Sequence, residues 1–131
     1  MLKGLTVKQY LLDLRLSIVS EDPAEGLMVV EDEERGLKNL LVGCEEPILV
    51  FEQIIMPVPP NPEDMFRRLL QMNRCVVQGA FTLDEEGKRV LYRDTLPLAN
   101  LDPNEVERTI EALSLTLAEF ANELIAFHTQ K

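Results

Sequence analysis

The residues best suited to holding a ligand in this sequence are acidic, and four of them stand together at Glu31-Asp32-Glu33-Glu34. Carboxylate oxygens are the ligands that hard cations such as Ca²⁺ prefer. The run lacks the alternating ligand positions and the glycine placement of an EF-hand loop. We therefore interpret it as a solvated hairpin tip, and we interpret Asp84-Glu85-Glu86-Gly87 in the same way.

Residues for covalent or acid–base catalysis are scarce. His128 is the single histidine and lies three residues from the C-terminal end of the sequence, which disfavours a nucleophilic triad. Cys44 and Cys75 are 31 residues apart, match no zinc or redox spacing, and are predicted to be buried, reduced thiols. No glycine-rich phosphate loop is present. The sequence therefore predicts a protein that is not an enzyme and uses no metal or cofactor.

The charge balance limits the possible partners. Among 131 residues, 23 are acidic and 13 basic, for a net charge of −10. Such a chain is repelled by nucleic acid and by anionic membranes, so neither is an expected partner. Residues 21–56 hold ten acidic and two basic residues, a local charge of −8. This acidity could attract a basic client segment, or it could keep sheet edges soluble.

No stretch of the sequence is apolar for long enough to cross a bilayer, and the N-terminus has no signal-peptide pattern. We therefore expect a cytoplasmic protein. The length predicts a single domain over residues 1–131.

Three helices are predicted from apolar spacing and end signals. The first begins at a possible capping box, Thr6-Val7-Lys8-Gln9, carries its apolar stripe as far as Ile18, and ends at Glu21-Asp22-Pro23. The middle helix covers 62–74, with Asn61 as its expected N-cap after a proline-rich segment. The last helix begins at Asp102-Pro103-Asn104-Glu105 and runs nearly to the end.

The strands group between these helices. Apolar runs at 27–30, 37–44 and 48–56 predict an antiparallel meander, and 76–83 with 88–96 predict a hairpin that turns at Gly87. Because strands and helices do not alternate regularly, the fold class is α+β. We expect an antiparallel sheet with three helices in the order α-β-β-β-α-β-β-α.

This order, together with several short segments, resembles the type III secretion chaperones (the CesT/Tir chaperones) and the YbjN-like proteins. The segments that carry the resemblance are Leu69-Leu70-Gln71-Met72-Asn73, Gly79-Ala80-Phe81, Asp84 to Gly87 and Leu96-Pro97-Leu98. The resemblance covers nearly the whole chain. It implies a secretion-chaperone-like domain that binds protein and has no enzyme activity.

The resemblance also implies partners and site residues. It implies a homodimer that packs through the middle helix and neighbouring strands, with the interface residues Met65, Phe66, Leu69 and Leu70. It further implies that an extended client segment binds apolar grooves formed by the first helix and the sheet, often by strand addition. The expected client contacts are Leu12, Leu16, Val19 and Phe51. The alternative is a YbjN-like structural or regulatory dimer with no dedicated client.

Overall fold

A computed structural model describes residues 2–129, and residues 4–129 for the side chains. It confirms the α+β class: three helices accompany one antiparallel sheet. In chain order the elements are α1 (Leu2–Asp13), β1 (Ser17–Asp22), β2 (Leu27–Asp32), β3 (Leu37–Glu45), β4 (Ile48–Pro57), α2 (Glu63–Cys75), β5 (Ala80–Leu83), β6 (Arg89–Pro97) and α3 (Pro103–His128).

The six strands form one sheet in the spatial order β1-β2-β3-β4-β6-β5. All neighbouring strands are antiparallel, so β4 and β5, which flank β6, run parallel to each other. Two parallel strands of one sheet need a long crossover connection, and α2 supplies it. The two edges of the sheet are therefore β1 and β5.

The predicted first helix is too long, and the predicted element order lacks one strand. The helix ends at Asp13, and the residues that continue its apolar spacing, Ile18 and Val19, lie in β1. The chain reverses at Arg15, which adopts a left-handed φ of 68°, and the Leu16 amide donates to the Leu11 carbonyl over 3.1 Å. A left-handed residue ends a helix.

Other predicted boundaries shift by a few residues. The first helix already includes Leu2, so the predicted capping box at Thr6 does not begin it. The residue at the N-cap of α2 is Pro62, not Asn61. The predicted strand at 76–83 begins only at Ala80, because Gly79 takes a φ of 77° immediately before it.

The strongest predicted signals are confirmed. At the start of α3 the Glu105 amide donates to Asp102 Oδ1 at 2.8 Å, and the Asp102 amide donates to Glu105 Oε1 at 3.1 Å, a capping box. The β5–β6 hairpin turns at Gly87, whose φ is 70°. The three-stranded meander is present as β2, β3 and β4.

The hydrophobic core lies between one face of the sheet and the three helices. Buried side chains of α1, α2 and α3 join those of the strands in a single cluster. At its centre the ring of Phe81 packs edge-on against Tyr92, with centroids 5.0 Å apart, and against Phe120 of α3 at 6.1 Å. Across residues 2–129, none of the helices combines the length and apolar character that a bilayer crossing requires.

Candidate functional site

A groove with a volume of about 540 Å³ lies where α1 meets one end of the sheet. Helix α1 forms one wall, and the β1–β2 turn forms another. The ends of β2 and β3 complete it. Its lining residues are Gly4, Leu5, Lys8, Glu21, Pro23, Ala24, Glu25, Gly26, Leu27, Met28, Cys44 and Glu46.

The groove combines an apolar lining with an acidic rim. Leu5 is largely exposed, and the half-buried Cys44 lies in the same lining. Three carboxylates and one ammonium group line the groove, so it has an excess of negative charge. Lys8 and Glu21 pair over 3.0 Å and tie α1 to β1. An extended segment with apolar and basic side chains would complement this surface.

Next to the groove, β1 is an edge strand of the sheet. In the part of the chain that the structure describes it pairs only with β2, and it has a bulge between Ile18 and Ser20. Five of its six residues are exposed. An edge strand presents unpaired backbone donors and acceptors to which another strand can add.

The opposite edge, β5, is covered by α2 through one side chain. The Phe81 amide donates to Asn73 Oδ1 at 2.7 Å, and Asn73 Nδ2 donates to the Phe81 carbonyl at 3.1 Å. Asn73 therefore occupies both backbone groups of Phe81 that a docking strand would use. Helix α2 continues past Asn73 to Cys75, so the asparagine side chain binds the strand from within the helix.

The predicted client contacts divide into two pairs. Leu12 and Val19 are 44% and 50% exposed. Leu16 and Phe51 are buried in the core, so in this chain they are not available to a partner. The reason for Phe51 is its register: it pairs with Val42 and Asp94 on the sheet face that the helices cover. Alternation along β4 defines two faces but does not say which one the helices cover.

The predicted dimer contacts also divide. Met65 and Leu69 are buried in the core cluster, and Phe66 is half-buried against it. Leu70 is 72% exposed on the outer side of α2. Only Leu70 of these four is freely accessible. Helical periodicity identified the apolar stripe of α2, but most of that stripe faces the protein's own interior.

The aspartates of the two acidic turns accept hydrogen bonds from nearby backbone amides. Asp84 accepts the Lys88 amide at 2.8 Å and the Arg89 amide at 3.3 Å, and these hydrogen bonds, led by that of Lys88, hold the pKa of its carboxyl below the ordinary value. Asp32 accepts the Glu34 amide and pairs with Arg35. Within residues 2–129 no three histidine, cysteine or acidic side chains converge as a metal site.

Of the remaining reactive candidates, Cys44 lines the groove, and the others lie apart from it. His128 is exposed near the end of α3. Among the described residues neither Cys44 nor Cys75 forms a disulfide, and Cys75 is exposed, so the prediction of a buried thiol is wrong for it. Burial raises the pKa of Tyr92, whose hydroxyl donates to the Gln78 carbonyl. The Tyr92 hydroxyl thus forms a structural hydrogen bond, and the side chain is buried.

Three solved structures share this fold at low sequence identity. The chain matches YbjN, described as a putative transcription regulator from E. coli, with a TM-score of 0.72, 15% identity and 92% of each chain covered. It matches a chain of the HopA1–SchA chaperone–effector complex with a TM-score of 0.62 and 14% identity, covering 90% of this chain and 95% of that one. The Yersinia pestis type III secretion chaperone SycH in complex with a YscM2 fragment matches with a TM-score of 0.53 and 14% identity, covering 95% and 98%.

These neighbours define the class: the fold is that of type III secretion chaperones and of YbjN. A match to the CesT_Tir_1 family spans residues 3–130, and the chain belongs to that family. The resemblance inferred from the sequence is thereby confirmed. A comparison with curated proteins found no significant match. Family and neighbouring complexes together support a chaperone-like, protein-binding role.

Proposed function

We propose that this protein is a homodimeric, chaperone-like module that holds an extended segment of a client protein. The observation that carries the proposal is the position of the exposed β1 edge beside the groove of α1. The edge offers backbone hydrogen bonds, and the groove offers apolar pockets for alternate side chains. The chaperone–effector and chaperone–fragment complexes among the structural neighbours support this assignment.

The charge of the groove bears on the kind of segment it would hold. Glu21, Glu25 and Glu46 line it together with Lys8, and the surrounding chain is strongly acidic. A client segment with basic side chains between apolar ones would gain attraction at long range and burial at short range. Its association rate would fall as salt is added.

The test is capture of a client by tagged protein in a lysate of the source cell, followed by binding of the identified segment to pure protein. The variant Leu12→Asp/Val19→Asp places charge on two exposed apolar residues of α1 and β1. We expect it to weaken binding at least about tenfold, since apolar anchors carry most interface energy. Val77→Asp, at an apolar residue before β5 that is 97% exposed, is the control for the effect of surface charge.

Hydrogen exchange gives a second readout of the same binding. The bound segment should slow exchange of the β1 amides while leaving β5 unchanged, because Asn73 already binds the outward amide and carbonyl of Phe81 in β5. Equal protection at both edges, or binding that the double variant leaves intact, would remove the β1 edge from the proposal.

The second candidate function is a YbjN-like dimer with no dedicated client, and the TM-score of 0.72 to YbjN favours it. It predicts that tagged protein repeatedly recovers no partner from the source cell. The net charge of −10 argues against direct contact with DNA in either case.

A further inference from the structure

The sheet has a second face, opposite the helices, whose residues follow from the strand registers. Side chains alternate between the two faces along a strand, and paired residues of neighbouring strands point to the same side. Phe51 and its partner Val42 lie in the core, so Val50 and Glu52 point away from the helices. We call the side of the sheet that holds Val50, Glu52 and the residues in register with them the open face.

The middle of the open face is apolar. The outward positions of a solvated antiparallel sheet are ordinarily polar. Six outward residues of this sheet are apolar instead, and none of them belongs to the core cluster that the helices share: Leu27, Val29, Leu41, Val50, Ile54 and Leu91. Ile54 is 52% exposed, and Leu27, Val29 and Leu41 are half-buried. A contiguous apolar surface of this kind marks an interaction site.

Acidic residues frame this apolar surface at both ends of the strands. At the end next to the groove, the registers place Asp22 opposite Leu27 and Glu45 opposite Ile48. At the other end Glu31 lies on the same face, opposite Ser17.

The basic residues near the open face do not reverse its charge. At the centre Arg93 is neutralised by Glu52, with Nε 3.0 Å from Oε1. Arg89, which pairs with Pro57, adds one positive charge at the end away from the groove. Residues 21–56, which include β2, β3 and β4, have a local charge of −8. The open face is therefore an apolar surface in a negative potential.

The backbone beneath the open face is already paired. Within the described chain, the four strands that carry its apolar residues, β2, β3, β4 and β6, each have a hydrogen-bonded strand on both sides. A partner on this face must therefore satisfy its own backbone groups, which an α-helix does within itself. Four strands at a spacing of about 4.8 Å span roughly 15 Å, the length of about ten helical residues.

We infer that the open face binds an amphipathic helix of another protein, whose apolar stripe is flanked by lysine and arginine. The stripe complements the apolar centre, and the basic flanks complement the acidic ends of the strands. A second copy of this chain is a poorer occupant, because it brings the same local charge of −8 to the contact. This inference goes beyond the proposed function, since it needs neither the β1 edge nor a homodimer.

Two model peptides of about 16 residues test the chemistry of the partner. Both form the same leucine–alanine stripe as a helix, but one has lysines on its polar face and the other has glutamates. We expect the lysine peptide to bind at least about tenfold more tightly than the glutamate peptide at low salt. Raising the ionic strength to about 0.5 M should narrow the difference. Isothermal titration calorimetry measures both affinities.

A pair of variants ties this binding to the open face. Ile54→Gln removes an apolar contact without adding charge, and we expect it to weaken binding of the lysine peptide by about tenfold. Leu70→Gln makes the same kind of change on the outer side of α2, where Leu70 is 72% exposed, and should leave the affinity unchanged. Both residues are more than half exposed, so each variant should fold, which circular dichroism verifies.

Methyl NMR of the wild-type protein locates the bound peptide. The signals of Val29, Leu41 and Ile54 should shift as the lysine peptide is added. The signals of Leu5 in the groove and Leu70 on α2 should stay in place.

Several results would overturn the inference. These are the absence of binding by either peptide, equal binding of the two peptides, an unchanged affinity in Ile54→Gln, and shifts confined to Leu5. Open-face signals that move with protein concentration before any peptide is added would place a second copy on the face and overturn it as well. The variant Leu12→Asp/Val19→Asp should still bind the lysine peptide, so failure of the proposed β1 site and failure of the open face are told apart.

Discussion

The two edge strands of the sheet differ in exposure: β5 is covered, and β1 is open to solvent. At β5 the asparagine of α2 binds both outward backbone groups of Phe81, and the helix lies over the strand. At β1 the strand is bulged and exposed, and it ends in Glu21 and Asp22. Edge strands are commonly protected by cover, by bulges or by charge. In this protein β5 is protected by cover. Strand β1 is protected by its bulge and its charges alone, so its backbone groups remain accessible.

The largest expected effect is at the glycine that sets the start of the covered edge. Gly79 has a φ of 77°, and a Cβ there would lie 2.8 Å from Tyr92 Cε1 and 2.9 Å from the Arg93 carbonyl oxygen. We expect Gly79→Ala to lower the free energy of unfolding by about 3 kcal/mol or more, from left-handed strain plus overlap. Urea unfolding measures it.

Gly36→Ala is the control for Gly79→Ala. Its φ of 71° is similar, but a Cβ there meets nothing within 4 Å. Gly36→Ala should lower the free energy of unfolding only by the strain of a left-handed alanine, about 1 kcal/mol. Equal losses in the two variants would show that the overlap at Gly79 relaxes.

The second-largest effect on stability is expected at Asn73. Asn73→Ala removes two hydrogen bonds to the Phe81 backbone, and we expect a loss of about 2 kcal/mol in unfolding free energy. The variant should also make β5 available, so that its amides exchange faster than in the wild type. Gln71→Ala, on the exposed side of the same helix, should change stability by less than about 0.5 kcal/mol. No change in β5 exchange would contradict the role assigned to Asn73.

Hydrogen exchange of the wild-type protein compares the two edges directly. Because β1 lacks a covering element, its amides should open locally and exchange on the order of a hundredfold faster than those of β5. Mass spectrometry of peptides from 17–22 and 80–83 measures both segments in one sample. Comparable protection at the two edges of the free protein would show that the exposure of β1 does not lower its local stability.

The smallest effect concerns the attachment of α2, which covers β5, to α3. Arg68 binds Glu123 through two hydrogen bonds of 2.6 and 2.8 Å. Chiefly because of this hydrogen bonding, the pKa of the Glu123 carboxyl lies below its ordinary value of 4.5. A carboxyl with a lowered folded pKa stabilises the protein above its unfolded pKa, and this stability is lost as pH falls through the lowered value.

Arg68→Met should therefore reduce the fall in melting temperature between neutral pH and acid below 4.5. The change should be small, because both side chains are partly exposed. Arg67→Met is the control, since Arg67 lies 4.0 Å from Asp64 with both groups exposed. Parallel pH profiles for wild type and Arg68→Met would contradict the linkage.

Much of the fold could be predicted because its signals are local. The capping box at Asp102 and the glycine turn at Gly87 each specify a backbone geometry within a few residues. The sequence does not predict β1, because α1 ends at Asp13 and the chain turns at Arg15, where no glycine or proline marks the left-handed residue. Ile18 and Val19 continue the helical spacing by coincidence, so periodicity alone could not separate them.

The site was less accessible to sequence reasoning than the fold, because it depends on which side of each element is covered. Phe51 and Leu16 are as apolar as any surface anchor, and only the strand register and helix position place them inside. Asn73 gave no signal at all for its partner, since Phe81 lies eight residues away on another element. Cys75 follows the same logic: an apolar neighbourhood in sequence does not ensure burial in space.

The covered edge at β5 also limits the growth of a continuous β-sheet across many copies of the protein. Head-to-tail growth of a sheet across many molecules needs two compatible edges on each molecule, and this chain presents one. Two β1 edges that met would place the carboxylates of Glu21 and Asp22 from both copies in one short strand pair. A sheet with one accessible edge can take up one strand and then stop, so this protein is expected to be a poor seed for fibrils.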